Sequence, residues 1–131
     1  MRECGMLLPV ASLPSKYGIG AFSKEAYEFI GTLKEAGQHY WQILPLGPTS
    51  YGDSPYQSFS AFAGNPYFID LDRLVEEGLL TEEECDAADF GDNPRDIDYG
   101  KIYFNRFPLL RKAYERWLKD GHTAAEAREK L

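Results

Sequence analysis

The sequence predicts an α/β chain built on parallel strands, on three observations. Two short apolar runs, Gly5–Val10 and Tyr40–Leu44, are each bounded by proline and turn residues. The residues between them follow a helical period, and a long connection rich in aromatic rings follows the second run.

The first run, GMLLPV, is uncharged and flanked by a Pro/Ser/Gly cluster, which suits a strand buried on both faces of a parallel sheet. A loop, SLPSKYGIGAFS, comes next. From Ser23 the pattern changes: Ala26, Phe29, Ile30, Leu33 and Ala36 fall on one side of a helix, while Lys24, Glu25, Glu28, Lys34 and Glu35 fall largely elsewhere. Ser23 is placed to cap the start and Gly37 the end. The second run, YWQIL, stops at Pro45. Strand, helix and strand in about forty residues form a βαβ unit with parallel strands and a right-handed crossover.

Downstream lie a short apolar segment, Tyr67–Leu71, and a small helix through Leu74 and Leu79. The acidic stretch TEEECDAADFGDNP reads as a solvated face. A longer helix then presents Tyr103, Phe107, Leu110, Tyr114 and Trp117 at alternating steps of four and three, a stripe expected to face the core. Pro108 within it predicts a kink or a late helix start. The final TAAEAREKL has helical composition without a stop signal, so the chain reads as cut rather than finished.

Composition narrows the function. A net charge of -7 over 131 residues, with no basic run, argues against a nucleic-acid partner. No apolar stretch is long enough for a membrane span or a signal-peptide core, and a cytoplasmic location is expected. Cys4 and Cys85 are far apart, with no CxxC spacing and no His pair, so neither a disulfide framework nor a metal site is predicted. His39 and His122 lack partners at ligand spacing and read as surface or satisfied side chains. Asp70 and Asp72 flank a leucine and read as caps of the next helix rather than as metal ligands. YGIG before a helix has two of the glycines of a dinucleotide cradle, but Ser23 stands where the third would be. No cofactor is expected.

The connection from Pro45 to Pro66 is where a ligand site is predicted. It leaves the carboxyl end of the second strand, the end at which α/β sheets and barrels build their sites. Within SYGDSPYQSFSAFAGNPYFID, glycines and prolines fix turns while six aromatic rings are presented. Sugars need such a surface: a ring face for the C–H side of the pyranose, and donors and acceptors for its hydroxyls. Phe59, Phe62 and Phe68 are expected to cover one end of the core, while for Tyr51 and Tyr56 a place at its margin and a contact to ligand are equally open. Asp53, following Gly52 in a turn, is more simply an Asx-type turn residue than a catalytic acid, since glycoside chemistry takes two carboxyls at a set separation and the loop has one.

The stretches GMLLPVASLPSKYGIGAFSKEAYEFI and YWQILPLGPTSYGDSPYQSFSAFAGNPYFIDL closely resemble the amino-terminal part of 4-alpha-glucanotransferases, the amylomaltases or disproportionating enzymes. The likeness continues more loosely through DYGKIYFNRFPLLRKAYERW. It implies a (β/α)8 TIM barrel of the alpha-amylase superfamily, of which this chain is the incomplete amino-terminal part: a first βαβ unit and substrate loop at 1–72, and a mainly helical insertion at 73–131. It implies a retaining double displacement on alpha-1,4-glucans, with maltooligosaccharide donors and glucose or another glucan as acceptor. The carboxylates of that chemistry lie on later strands in the family, so no catalytic residue is assigned to this chain and it is expected to be inactive alone. By resemblance Tyr56 lines the donor-sugar subsite, and Asp53 and Ser54 shape the same pocket. Tyr51 matches a tyrosine of a second glucan site, and Tyr99, in DYG, is assigned to that patch on a looser alignment. Ala21 and Ser23 stand where the family often has Asp and Gly, a departure that leaves the fold intact, and no polar role is assigned to that turn. A noncatalytic glucan-binding or scaffolding unit is the alternative.

Overall fold

The structure, a computed structural model, describes residues 2–50 and 52–122. Strand β1 (Gly5–Leu7) pairs in parallel with β2 (Tyr40–Gln42), in the register Gly5 to Tyr40, Met6 to Trp41 and Leu7 to Gln42. Both strands are shorter than the apolar runs predict. The ladder ends where the Leu8 N–H donates to the Gln42 carbonyl at 3.0 Å, because Pro9 has no N–H to continue it. Val10–Ser12 then form one turn of 3-10 helix. The Trp41 indole Nε1–H donates to the Leu8 carbonyl at 2.8 Å and braces the strand ends.

The expectation of a strand buried on both faces is not met. All of β1 is exposed, including the side chains of Met6 and Leu7, since no described residues cover those faces. Helix α1 (Lys24–Glu35) packs Ala26 and Leu33 inward, and Phe29 meets Trp41 edge to face at 5.2 Å. Ile30 of the same stripe is exposed. Ser23 occupies the N-cap position, but its hydroxyl donates to the Glu25 carboxylate at 2.5 Å instead of capping the backbone. Gly37 ends the helix at φ +69, the left-handed cap that its lack of a Cβ permits.

Helix α2 (Leu71–Glu76) is capped by Asp70, whose carboxylate accepts from the Asp72 N–H at 3.1 Å. It stops before Gly78 at φ +73, so Leu79 lies beyond the helix. Asp72 does not cap. Its carboxylate accepts from the Tyr17 hydroxyl at 2.5 Å and pairs with Lys16 at 2.9 Å, tying the loop after β1 to α2. Burial works to raise the Asp72 carboxyl, but the Tyr17 hydroxyl and Lys16 outweigh it and hold it below its ordinary value.

The acidic stretch is only partly a solvated face. Its Glu82–Asp86 portion is helix α3, started by a capping box between Thr81 and Glu84, and Cys85 is buried beneath it. Helix α4 (Tyr99–Lys119) contains Pro108, so the helix starts nine residues before the proline rather than at it. Its buried residues are Ile102, Arg106, Leu109 and Ala113. The stripe read from the sequence is one position off. Tyr103, Phe107 and Tyr114 are exposed, because a buried arginine and an alanine hold places that the pattern reading gave to aromatic rings.

Glu84 links α3 to α4. Its carboxylate takes both Nη groups of Arg116 at 2.7 Å and Lys112 Nζ at 3.0 Å. Arg116, then Lys112, pull the Glu84 carboxyl from 4.5 down to about 2. The folded value lies below the unfolded one, so this contribution is complete above about pH 4.5 and is lost as pH falls toward about 2. The melting temperature of the parent chain should therefore drop more steeply over that window than that of Glu84→Gln. Parallel slopes in a pH series of thermal melts would remove Glu84 as the cause.

The larger core cluster is not under the sheet. It joins Tyr17 and Ile19 of the first loop, Tyr67, Leu71, Leu80, Cys85 and Phe90, and the inner face of α4. A smaller cluster of Val10, Leu13 and Ala26 lies at the carboxyl ends of the strands, and Phe68 packs against both. Gly18 and Gly20 belong to this packing and not to a phosphate cradle: at each, an added Cβ would overlap backbone, the Phe90 carbonyl at Gly18 and the Val10 carbonyl at Gly20.

Candidate functional site

The connection after β2 is closed at its neck and stiffened within. The Asn65 N–H donates to the Leu46 carbonyl at 3.0 Å, and the buried Asn65 side chain accepts from the Tyr67 N–H at 2.9 Å. Pro66–Phe68 form one turn of 3-10 helix, and the Phe68 carbonyl accepts from the Phe22 N–H at 3.2 Å. Inside the loop, serines serve the backbone. Ser58 Oγ donates to the Ser60 carbonyl at 2.7 Å, and Ser60 Oγ accepts from the N–H groups of Phe62 and Ala63. Such local bonds order a segment that has no ladder of its own.

At the tip, Gly52 and Asp53 take positive φ of +90 and +54, and the Asp53 N–H donates to the Ser50 carbonyl at 3.1 Å. The Asp53 side chain makes no hydrogen bond among the described residues, in contrast to the Asx-type turn the sequence suggests. A non-glycine residue in this conformation belongs to the strained minority that clusters at ligand sites.

Two hollows meet at this tip. The smaller, of about 200 Å³, lies at the carboxyl ends of the strands between Val10, Ser12, Leu44 and Pro55. The larger, a groove of about 970 Å³, runs between the loop and α4, with Phe59, Asn65 and Tyr67 on one side and Tyr103 and Phe107 on the other. Asp53 and Tyr99 line both. Burial, then the Asp53 charge, raises the Tyr99 phenol above its ordinary value, and the same two causes act on Tyr67. The groove thus sets phenol hydroxyls beside a carboxyl group, a mixed set suited to a polyhydroxyl ligand.

Of the residues singled out in the sequence, the structure brings Asp53 and Tyr99 together. Ser54 sits in the adjoining turn, its hydroxyl accepting from the Tyr56 N–H at 3.3 Å. Tyr56 is 71% exposed and lines neither hollow, and Tyr51 lies outside the described residues. The helix read at TAAEAREKL lies outside them too. Phe59 and Phe62 are exposed, Phe62 completely, instead of covering the core; only Phe68 does so. Sequence reasoning missed Tyr103, which it assigned to the core and which the structure leaves 55% exposed beside the groove. The apolar period of α4 gave no sign of this, because the face that wins is held by Ile102, Arg106, Leu109 and Ala113. Among the described residues no cluster of His, Cys, Asp and Glu is arranged to hold a metal ion, and no helix is long and apolar enough to cross a membrane.

Two parallel strands joined through a helix, with a hollow at their carboxyl ends, form the amino-terminal portion of a (β/α)8 barrel. A sequence profile described as 4-alpha-glucanotransferase matches residues 8–130. The 4-alpha-glucanotransferase of Streptococcus pneumoniae serotype 4 is 57% identical over 120 residues, 92% of this chain and 24% of that protein. The enzyme of the same description from Clostridium butyricum is 63% identical over 105 residues, 80% of this chain and 22% of that protein. An amylomaltase from Streptococcus agalactiae, solved in complex with acarbose, matches with a TM-score of 0.89 and 44% identity, covering 98% of this chain and 26% of that one. The chain belongs to the 4-alpha-glucanotransferase family and spans about a quarter of the length of these relatives.

Proposed function

We propose that this chain supplies the substrate loop and one wall of the glucan cleft of a 4-alpha-glucanotransferase, and that the groove between the loop tip and α4 holds glucose units. The observation that carries this is the placing of Asp53 and Tyr99 where the two hollows meet, at the carboxyl rim of the strands. Tyr103 and Phe59 add ring faces to the same groove. Tyr51, Ser54 and Tyr56 are proposed as further contacts on the resemblance alone. Ring faces give sugars stacking area while Asp53 and the raised phenols take the hydroxyl edges.

The reaction proposed for the whole enzyme is a retaining double displacement. A carboxylate forms a glycosyl-enzyme bond, a second one protonates the leaving oxygen, and a glucan hydroxyl then takes the place of water. Both carboxylates are assigned to strands outside the quarter of the relatives that this chain matches, so the chain by itself is proposed to bind glucan without transferring it.

Two measurements test this. Maltoheptaose should bind the 131-residue chain in a calorimetric titration, while maltotriose incubated with it should remain intact. A chimera in which residues 8–130 replace the matching quarter of the Streptococcus pneumoniae relative should convert maltotriose into glucose plus longer maltodextrins. Glucose without longer products would refute transfer. Binding by the chain together with an inactive chimera would favour the noncatalytic scaffolding unit.

A further inference from the structure

Arg106 is the one charged residue in the inner stripe of α4, and it is 1% exposed. Its Nη2 donates to the Ile69 carbonyl, while Nε and Nη1 are buried without a partner among the described residues. Burial lowers the guanidinium to about 10, with Asp70 acting in the opposite direction, so it is charged at neutral pH. An apolar side chain would fill this place without the desolvation penalty, and such replacements are often neutral or stabilising. Packing therefore does not account for an arginine here.

Its single bond does. Among the described residues it is the only hydrogen bond from α4 to the segment 45–70. Ile69 lies directly after the 3-10 turn whose first residues, through Asn65, close the neck of the loop on Leu46. Tyr99 and Tyr103 stand on α4 within two turns before Arg106. The bond thus joins the two walls of the groove, the loop wall at its neck and the helix wall at its middle.

We propose that Arg106 is a positioning residue that sets the separation of the groove's two walls; this rests on the reading of the groove as a glucan site. The test uses the whole chain and two variants, Arg106→Met and Arg106→Lys. Arg106→Met should melt close to the parent, yet exchange the amides of Asn65, Tyr67 and Phe68 faster by about tenfold, the loss of one charge-assisted bond, while amides of α1 keep their rates. Its affinity for maltoheptaose should fall by about tenfold as well. Arg106→Lys, which keeps a charged donor near Ile69, should recover part of both losses. It carries the comparison by itself if the methionine variant does not fold, neck amides exchanging at the parental rate then overturning the proposal. Faster exchange spread evenly over the chain would show a merely structural role and overturn it also. Should the parent bind maltoheptaose and Arg106→Met bind it equally, the positioning role fails and the glucan site stands. Should the parent bind none, the site fails and the functional part of the proposal with it, whatever the exchange rates show.

Discussion

Gly20→Ala should destabilise the chain by about 3 kcal/mol or more, the upper range for forcing an extra carbon into a packed interior. The added Cβ would overlap the Val10 carbonyl and lie 2.7 Å from the Leu13 nitrogen and 2.8 Å from its oxygen. All of these are backbone atoms and cannot swing aside. The turn they form is already fixed by the Gly20 N–H, which donates to the Ala11 carbonyl at 3.0 Å, and by the burial of Val10, Leu13 and Ile19. Gly31, in the middle of α1, has nothing within 4 Å of its missing Cβ. Gly31→Ala should accordingly stabilise the chain by about 1 kcal/mol through helix propensity. Urea titrations of the two variants beside the parent check both signs. A Gly20→Ala midpoint at or above the parental value would mean that the close approach is not as described.

Tyr103→Ala should weaken maltoheptaose binding by at least about tenfold, since truncating a ring that packs against a ligand commonly costs more than 1 kcal/mol. Stability should change little, because Tyr103 is more than half exposed and its ring packs edge to face on Phe104 and Phe107, with centroids at 5.4 Å and 5.1 Å. That separates it from Ile102, its fully buried neighbour, whose truncation would unfold the chain as readily as it removed binding. Calorimetry with maltoheptaose, paired with a thermal melt, distinguishes the two. Binding unaltered by Tyr103→Ala would remove Tyr103 from the proposed glucan site.

Much of the fold was legible because local signals agreed. Gly37 and Asp70 each stated an element boundary in residues close together in the sequence, and Ala26 and Leu33 stated the inner face of α1, though Ile30 and Ala36 of the same stripe are exposed. The strand lengths were not, since Pro9 ends the ladder through a missing donor that an apolar count does not weigh. The inner face of α4 was misread for a related reason: period alone ranks Tyr103 and Phe107 above Arg106 and Ala113, and only the tertiary partner at Ile69 reverses that order. At the site, the turn chemistry of Gly52 and Asp53 was visible, and so was the carboxyl-end position of the loop. Of the groove's second wall, Tyr99 was assigned only through the loosely aligned DYG and Tyr103 was not, because they share a hollow with Asp53 across some fifty residues of chain.

The main core lies beside the sheet and not beneath it, and this has a kinetic consequence. Tyr67, Leu71 and Ile102 anchor both sides of the groove to one another without recourse to β1 or β2. A nascent polypeptide can therefore bring the two walls of the groove together as soon as α4 has emerged from the ribosome, ahead of any barrel closure.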